Sequence, residues 1–381
     1  MYFNKYLYCA CAFAAAMISC LATVIFLNPR PARSQTVTTE DGQKADTASA
    51  SHMQAAAGQT IPQDAKEFLL AAEKVNGLQG PGLKPWHVLV SYDKFDEDGD
   101  NVDSGTYEEL WIGPKQYRLT YTSPTFTQTD IATDKSLYRS GNSKWPGELQ
   151  TRVRDEFVRP MFREMDLQYG KPESKTRNFG KTQLPCVLIR STEGLRILND
   201  DGVAGFCFEP NSLMLRYSRG GMSPITVWDQ TVYDKIVRFQ DRYIAKDIRV
   251  TRGGKLYLQL NLEKLESIGQ ITAADFTPPP DAVPVDEKNI NADPSVLLLD
   301  YSIHREMPQY PRTIRAPGGE ATMKFTITKD GHVSGIQFVD GTAEMRKGLE
   351  ESLKNYVYRP FLVRGEPVEL QVQQKFIYTI H

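Results

Sequence analysis

Two cysteines outside the N-terminal apolar run, Cys186 and Cys207, carry the plainest chemical signal in this chain. An oxidising compartment lets such a pair form a disulfide. Residues 187–192 and 205–208 read as two strands with a connection, which sets the two thiols across a ladder. Two buried free thiols are the other reading, and a metal needs more ligands than two distant cysteines offer. Asp96, Asp98, Asp100 and Asp103 suggest a calcium loop. Its sixth position, however, is Asn101 where glycine is required, and its twelfth is Tyr107 in place of a bidentate glutamate, so a solvated hairpin turn accounts for the four acids. His52, His87, His304, His332 and His381 are scattered without a ligand pair. The GxSxG, HExxH, P-loop and GxGxxG patterns are all missing. The expectation is a protein that binds rather than catalyses, with no cofactor and no metal.

The chain is long enough, at 381 residues, for two to three domains of about 150 residues each. Hydrophobic residues at 40% and charged residues at 24% exclude both a polytopic membrane protein and a wholly disordered one. Lys and Arg number 45 against 47 Asp and Glu, so no global field draws the protein onto nucleic acid. From Tyr6 to Leu27 no charged side chain occurs, and at about 1.5 Å per residue this run spans the roughly 30 Å hydrocarbon layer. Length favours a retained inner-membrane anchor over residues 1–34. Ala32 and Ser34 also fit cleavage after Ser34, and Met17 to Cys20 a lipid-attachment box. All three readings send the chain from residue 35 onward out of the cytoplasm.

Residues 35–60 are small and polar and read as a flexible tether. Asp64 and Glu67 form a capping-box pattern, after which Phe68, Leu69, Ala72 and Val75 follow at helical spacing. Short β-type runs come next: Trp86 to Tyr92, Thr106 to Ile112, Gln116 to Thr122, Phe126 to Ala132 and Ser136 to Tyr138. A helical stretch over 148–162 interrupts them. Strands resume in seven runs between Cys186 and Leu262. The domain over 61–276 is therefore read as a curled antiparallel sheet, half-barrel-like, with helices. Five prolines within 277–296 mark a linker. In 297–381, Met323, Phe325 and Ile327 alternate, Ile336 and Phe338 return, and Met345, Leu349, Leu353 and Tyr356 make one helical stripe. Val368, Leu370, Val372, Phe376, Tyr378 and Ile380 then share a strand face. That is ββαβ, a three-stranded antiparallel sheet backed by one helix, and the whole chain is α+β.

The last segment carries Pro308, Gln309, Tyr310 and Pro311, then Gly319 opening a strand, Lys329 to Val333 as KDGHV, Tyr358, Arg359 and Pro360 after the helix, and Gly365, Glu366 and Pro367 before the final strand. Together these features resemble the C-terminal domain of TonB-type energy transducers, over about residues 306–380. The resemblance implies a periplasmic domain that grips a plug peptide of an outer-membrane transporter, with an inner-membrane proton-channel complex as a further partner. It implies that the strand from Val368 through Leu370, Val372, Gln374 and Phe376 to Tyr378 is augmented by that peptide, and that Gln309, Tyr310 and Pro311 touch the transporter. Main-chain groups on a sheet edge permit such pairing. Two features depart from that family. No histidine lies between Tyr6 and Leu27, and a folded domain stands where a long Pro-rich spacer is usual.

The domain over 61–276, a helix beside many curled strands ending in Asp275, Phe276, Thr277 and Pro278, resembles in architecture the unclosed barrel of periplasmic lipoprotein carriers of the LolA and LolB type. The resemblance implies a concave side, lined by Trp86, Leu89, Trp111, Tyr117, Leu119 and Phe126, that shelters an acyl chain or lipoprotein. A filled core is the alternative for the same residues.

Overall fold

The computed structural model describes residues 61–379 apart from 163–166, 169, 192–203, 221–228, 271, 289, 292–301 and 307–317. The anchor over 6–27, the tether and residues 309–311 lie outside the described residues.

Helix α1 (Ala65–Glu73) starts where the sequence places a cap: the Asp64 side chain accepts from the amides of Lys66 and Glu67 at 2.9 and 3.0 Å. A five-strand meander follows: β1 (Trp86–Phe95), β2 (Asn101–Gly113), β3 (Gln116–Thr122), β4 (Thr127–Ala132) and β5 (Leu137–Gly141). After α2 (Glu148–Val158) come β6 (Gly170–Phe179), β7 (Thr182–Ser191), β8 (Ala204–Phe208), β9 (Leu215–Arg219) and β10 (Asp229–Asp234). A small hairpin of β11 (Val237–Phe239) and β12 (Arg242–Ile244) leads to β13 (Asp247–Arg252) and β14 (Lys255–Ser267). β14 returns beside β1, so the middle domain is one open sheet of thirteen strands, in the order β15-β5-β4-β3-β2-β1-β14-β13-β10-β9-β8-β7-β6. Here β15 (Val283–Pro284) comes from the segment expected as a linker.

The strands alternate as half-buried strands must. Trp86, Val88, Val90 and Tyr92 of β1 are buried, and so are Ile248 and Val250 of β13 and Leu258 and Leu260 of β14. Tight turns set the register. Gly253 and Gly254, at φ +60° and +82°, join β13 to β14 in a turn that needs positive φ at both central residues. Both helices pack on the inward face, where Leu69, Ala72, Val153 and Phe157 join the β-strand core. Each of the three larger side chains among them contributes about 1.5–3 kcal/mol on removal from water. Asn76 fixes the end of α1 to the sheet: its amide donates to the Ala72 and Leu213 carbonyls, both at 2.8 Å, and its oxygen accepts from the Leu215 amide at 3.0 Å.

The C-terminal part contains β16 (Ile290–Asn291), β17 (Ser302–His304), β18 (Gly318–Ile327), β19 (Val333–Gly341), α3 (Arg346–Leu353), β20 (Val357–Tyr358), β21 (Phe361–Val363), β22 (Glu366–Val368) and β23 (Leu370–Thr379). Of the expected helical stripe, Leu349 and Leu353 lie on α3, Met345 in the turn before it and Tyr356 beyond its end, and all four are buried with Met323, Phe325, Ile327, Leu370 and Val372. The expected three strands become four, in the order β16-β23-β18-β19, because Ile290 and Asn291 pair in parallel with Leu370 and Gln371. The segment 277–296 thus supplies one short strand to each of the two larger sheets. The final strand starts at Leu370 rather than Val368. Val368 closes the β21–β22 hairpin instead, where it faces Phe361. Another difference is β6, whose sequence GKPESKTRNF offers no apolar alternation because it is an edge strand with one neighbour, β7.

Candidate functional site

Registers across β1 to β5 build the inward face in three rows. The first runs Trp86, Trp111, Tyr117, Ala132, Leu137, the second Val88, Glu109, Leu119, Asp130, Arg139, and the third Val90, Tyr107, Tyr121, Gln128, Gly141. Trp86 and Trp111, paired across strands, stack with centroids 5.6 Å apart at 12°. Helix α2 and the loop before it lie over these rows without filling them. A cavity of about 380 Å³ remains, lined by Leu78, Trp86, Trp111, Leu119, Tyr121 and Val158 among others.

Charges are interleaved with this apolar floor, and each is paired. Glu109 is 0% exposed. Arg154 of α2 donates to it through Nε at 2.8 Å and Nη2 at 2.9 Å, and the Tyr107 hydroxyl donates to it as well. Asp130 accepts from Nε and Nη2 of Arg139, both at 2.7 Å, while the Arg139 guanidinium also lies 4.4 Å from the Trp145 ring centroid. Burial pushes the Asp130 carboxyl above the usual aspartate range, and the Arg139 hydrogen bonds and charge act against it. Burial, then the Glu109 charge, pushes the Tyr107 hydroxyl well up. Burial would lower Arg154, but Glu109 outweighs it and holds the guanidinium firmly charged.

The mouth of the cavity is completed from the other end of the chain. Phe361, Leu362, Arg364 and Gly365 of the β21–β22 hairpin line it, opposite Pro114 of the β2–β3 turn. Phe361 meets Trp145 edge to face at 5.5 Å. Arg364 grips Glu287 with two bonds, of 2.8 and 3.1 Å, and Lys115 reaches Glu366 at 3.0 Å. The C-terminal core also takes in Ala132 and Leu137 of the middle sheet.

Of the expected concave residues, Trp86, Trp111, Tyr117 and Leu119 line the cavity. Leu89 does not. It stands three positions from Trp86 on the same strand, so its side chain takes the opposite face, between Glu108 and Lys264. Phe126 packs on Tyr121, with ring centroids 6.2 Å apart, in the core beside the cavity. Tyr121 was missed although it continues the alternation of Tyr117 and Leu119. Glu109 was missed although its position between Tyr107 and Trp111 puts a charge on an apolar face.

Cys186 and Cys207 are bonded, facing one another across β7 and β8. In the last strand Leu370, Val372 and Gln374 are buried and Phe376 packs on the same core, so these side chains face inward. That strand offers a partner its main chain and the outward side chains of Gln373, Lys375 and Ile377. The Tyr378 side chain lies outside the described residues, as do Gln309, Tyr310 and Pro311. Asp96 caps its own turn, accepting from the amides of Asp98 and Asp100 at 2.9 Å each. Among the described residues no group of three or more His, Cys, Asp and Glu is placed to hold a metal, and no helix is long and apolar enough to cross a membrane.

No family model matches the chain, and no curated protein matches it. Solved structures similar to it include a LolA-superfamily protein from Nitrosomonas europaea, at 12% identity over 56% of this chain and 97% of that one, with a TM-score of 0.37. A putative outer-membrane lipoprotein-sorting protein domain from Vibrio parahaemolyticus is similar at 8% identity, over 56% and 95%, with a TM-score of 0.36. A DUF1329-family protein from Desulfovibrio piger is similar at 9%, over 56% and 95%, with a TM-score of 0.32. At such scores the architecture rests on the strand order itself: an open, mostly antiparallel sheet with few helices.

Proposed function

We propose that this protein is a periplasmic carrier that shelters an acyl chain, free or attached to a lipoprotein, in the concave cavity of its middle domain, without catalysis. The observation that carries this reading is the space of about 380 Å³ between an apolar sheet face and α2, within the roughly 300–1,000 Å³ of small-molecule sites. The bonded cysteines suit an oxidising compartment. The test uses the full chain, stripped of lipid, with a fluorescent sixteen-carbon fatty acid. Saturable binding that Leu119→Trp weakens about tenfold by filling the cavity is expected. Absence of binding, together with no acyl species in native mass spectra of freshly purified protein, overturns it.

A second reading follows the resemblance of residues 306–380 to TonB-type domains: an extended transporter peptide adds to the free side of β23. One observation favours it. Among the described residues that side is paired only at Leu370 and Gln371. Amide shifts along 372–379 on titration with such a peptide are expected, and unmoved amides refute it.

A further inference from the structure

We propose that the β21–β22 hairpin of the C-terminal domain is a working wall of the cavity, and that the Arg364–Glu287 pair is the positioning contact that sets how tightly the cavity holds its ligand. This rests on the carrier reading. Leu362 lines the cavity yet is 42% exposed, so its apolar surface is offered to whatever fills the space. The hairpin tip is pressed onto the middle domain. Arg364 and Gly365 have φ +50° and +79°, the conformation of a two-residue turn. A Cβ at Gly365 would stand 2.7 Å from Cβ of Pro114.

Arg364 spends its whole fork on this docking. Beyond the two bonds to Glu287, Nη1 donates to the carbonyls of Thr133 and Asp134 at 3.1 and 3.2 Å. Glu287 in turn accepts from the Leu137 amide at 3.0 Å, so it belongs to the β5 side of the contact. Glu287 does not line the cavity. A ligand that touches both walls binds the docked arrangement, and its apparent affinity scales with the fraction docked. By reciprocity the ligand must also hold the hairpin down.

The experiment uses the full chain and the fluorescent sixteen-carbon fatty acid. Glu287→Gln, which touches no ligand, is expected to raise Kd about tenfold. Arg364→Lys, which keeps the charge and loses the fork, falls in between, and Leu362→Ala raises Kd about threefold. In the unmodified protein the fatty acid is expected to slow hydrogen exchange of amides 361–368, a readout that needs no variant. If the protein binds the probe but Glu287→Gln leaves Kd unchanged and hairpin exchange ignores the probe, this inference falls and the carrier reading stands. If the unmodified protein neither binds the probe nor carries an acyl species in native mass spectra, both fall.

Discussion

Arg154→Met tests whether the charged row on the cavity floor is what holds α2 in place. Glu109 is 0% exposed, whereas the Arg154 side chain is 25% exposed and faces the cavity. Taking away the guanidinium removes two charge-assisted hydrogen bonds and leaves the carboxylate with the Tyr107 hydroxyl as its remaining hydrogen-bond donor among the described residues. Removing one partner of a buried pair costs about 3–5 kcal/mol. Water reaching the site through the cavity relieves part of this, so the expected loss is about 2–4 kcal/mol. The double variant Glu109→Leu, Arg154→Met removes both charges and should recover most of it, giving, with Glu109→Leu alone as the other single, a coupling of about 2 kcal/mol or more. Urea unfolding of the four proteins with a common slope measures this. A loss below about 1 kcal/mol for Arg154→Met, or a double variant no more stable than the single, would refute the reasoning.

Replacing Cys186 and Cys207 by alanine opens a loop of sequence separation 21 and should cost about 3 kcal/mol by the chain-entropy argument; a loss under about 1 kcal/mol in denaturant titration contradicts it. Low pH should loosen the cavity mouth. The hydrogen bond and charge of Lys115 hold the Glu366 carboxyl below the ordinary glutamate value of 4.5. A lowered folded-state value means the contact is complete above 4.5 and is lost as pH falls through the lower value. Exchange of the hairpin amides, corrected for the intrinsic rate, should rise below pH 4.5 in the unmodified protein and less so in Lys115→Met. An equal rise in both sinks the assignment.

Local chemistry in this chain was legible and distant geometry was not. Asp64, the helical pair Leu349 and Leu353, and the cysteine pair announce themselves because cap, helix period and cross-strand pairing need only a few residues. The strand over Gln116–Thr122 was read to the residue because its apolar positions alternate throughout. β1 and β2 outrun the expected ranges, since their far ends form a polar hairpin around Asp96 to Asp103 and leave no apolar pattern. Leu89 shows how counting hydrophobics without their parity misplaces a side chain. The hairpin at 361–368 closes a cavity whose floor lies more than two hundred residues earlier, and no periodicity encodes a contact at that range.

Dimensions explain why a cavity exists where a core is usual. Five strands about 4.8 Å apart are roughly 19 Å across, and β2 with 13 residues is about 43 Å long. Helix α2, with 11 residues, is about 16 Å long and roughly 10 Å wide. It covers only part of that face. The sheet does not close on the remainder, since its two edge strands, β15 and β6, are not paired with each other. A bare face of tryptophan, tyrosine and leucine would be a sticky patch in water, and a single further helix would fill it. The chain does neither: it leaves the middle open, binds its interleaved charges in pairs, and brings a narrow two-stranded hairpin from the C-terminal part to the rim. On the carrier reading, such a face takes an apolar guest without unpairing a charge, under a rim supplied by residues 361–368.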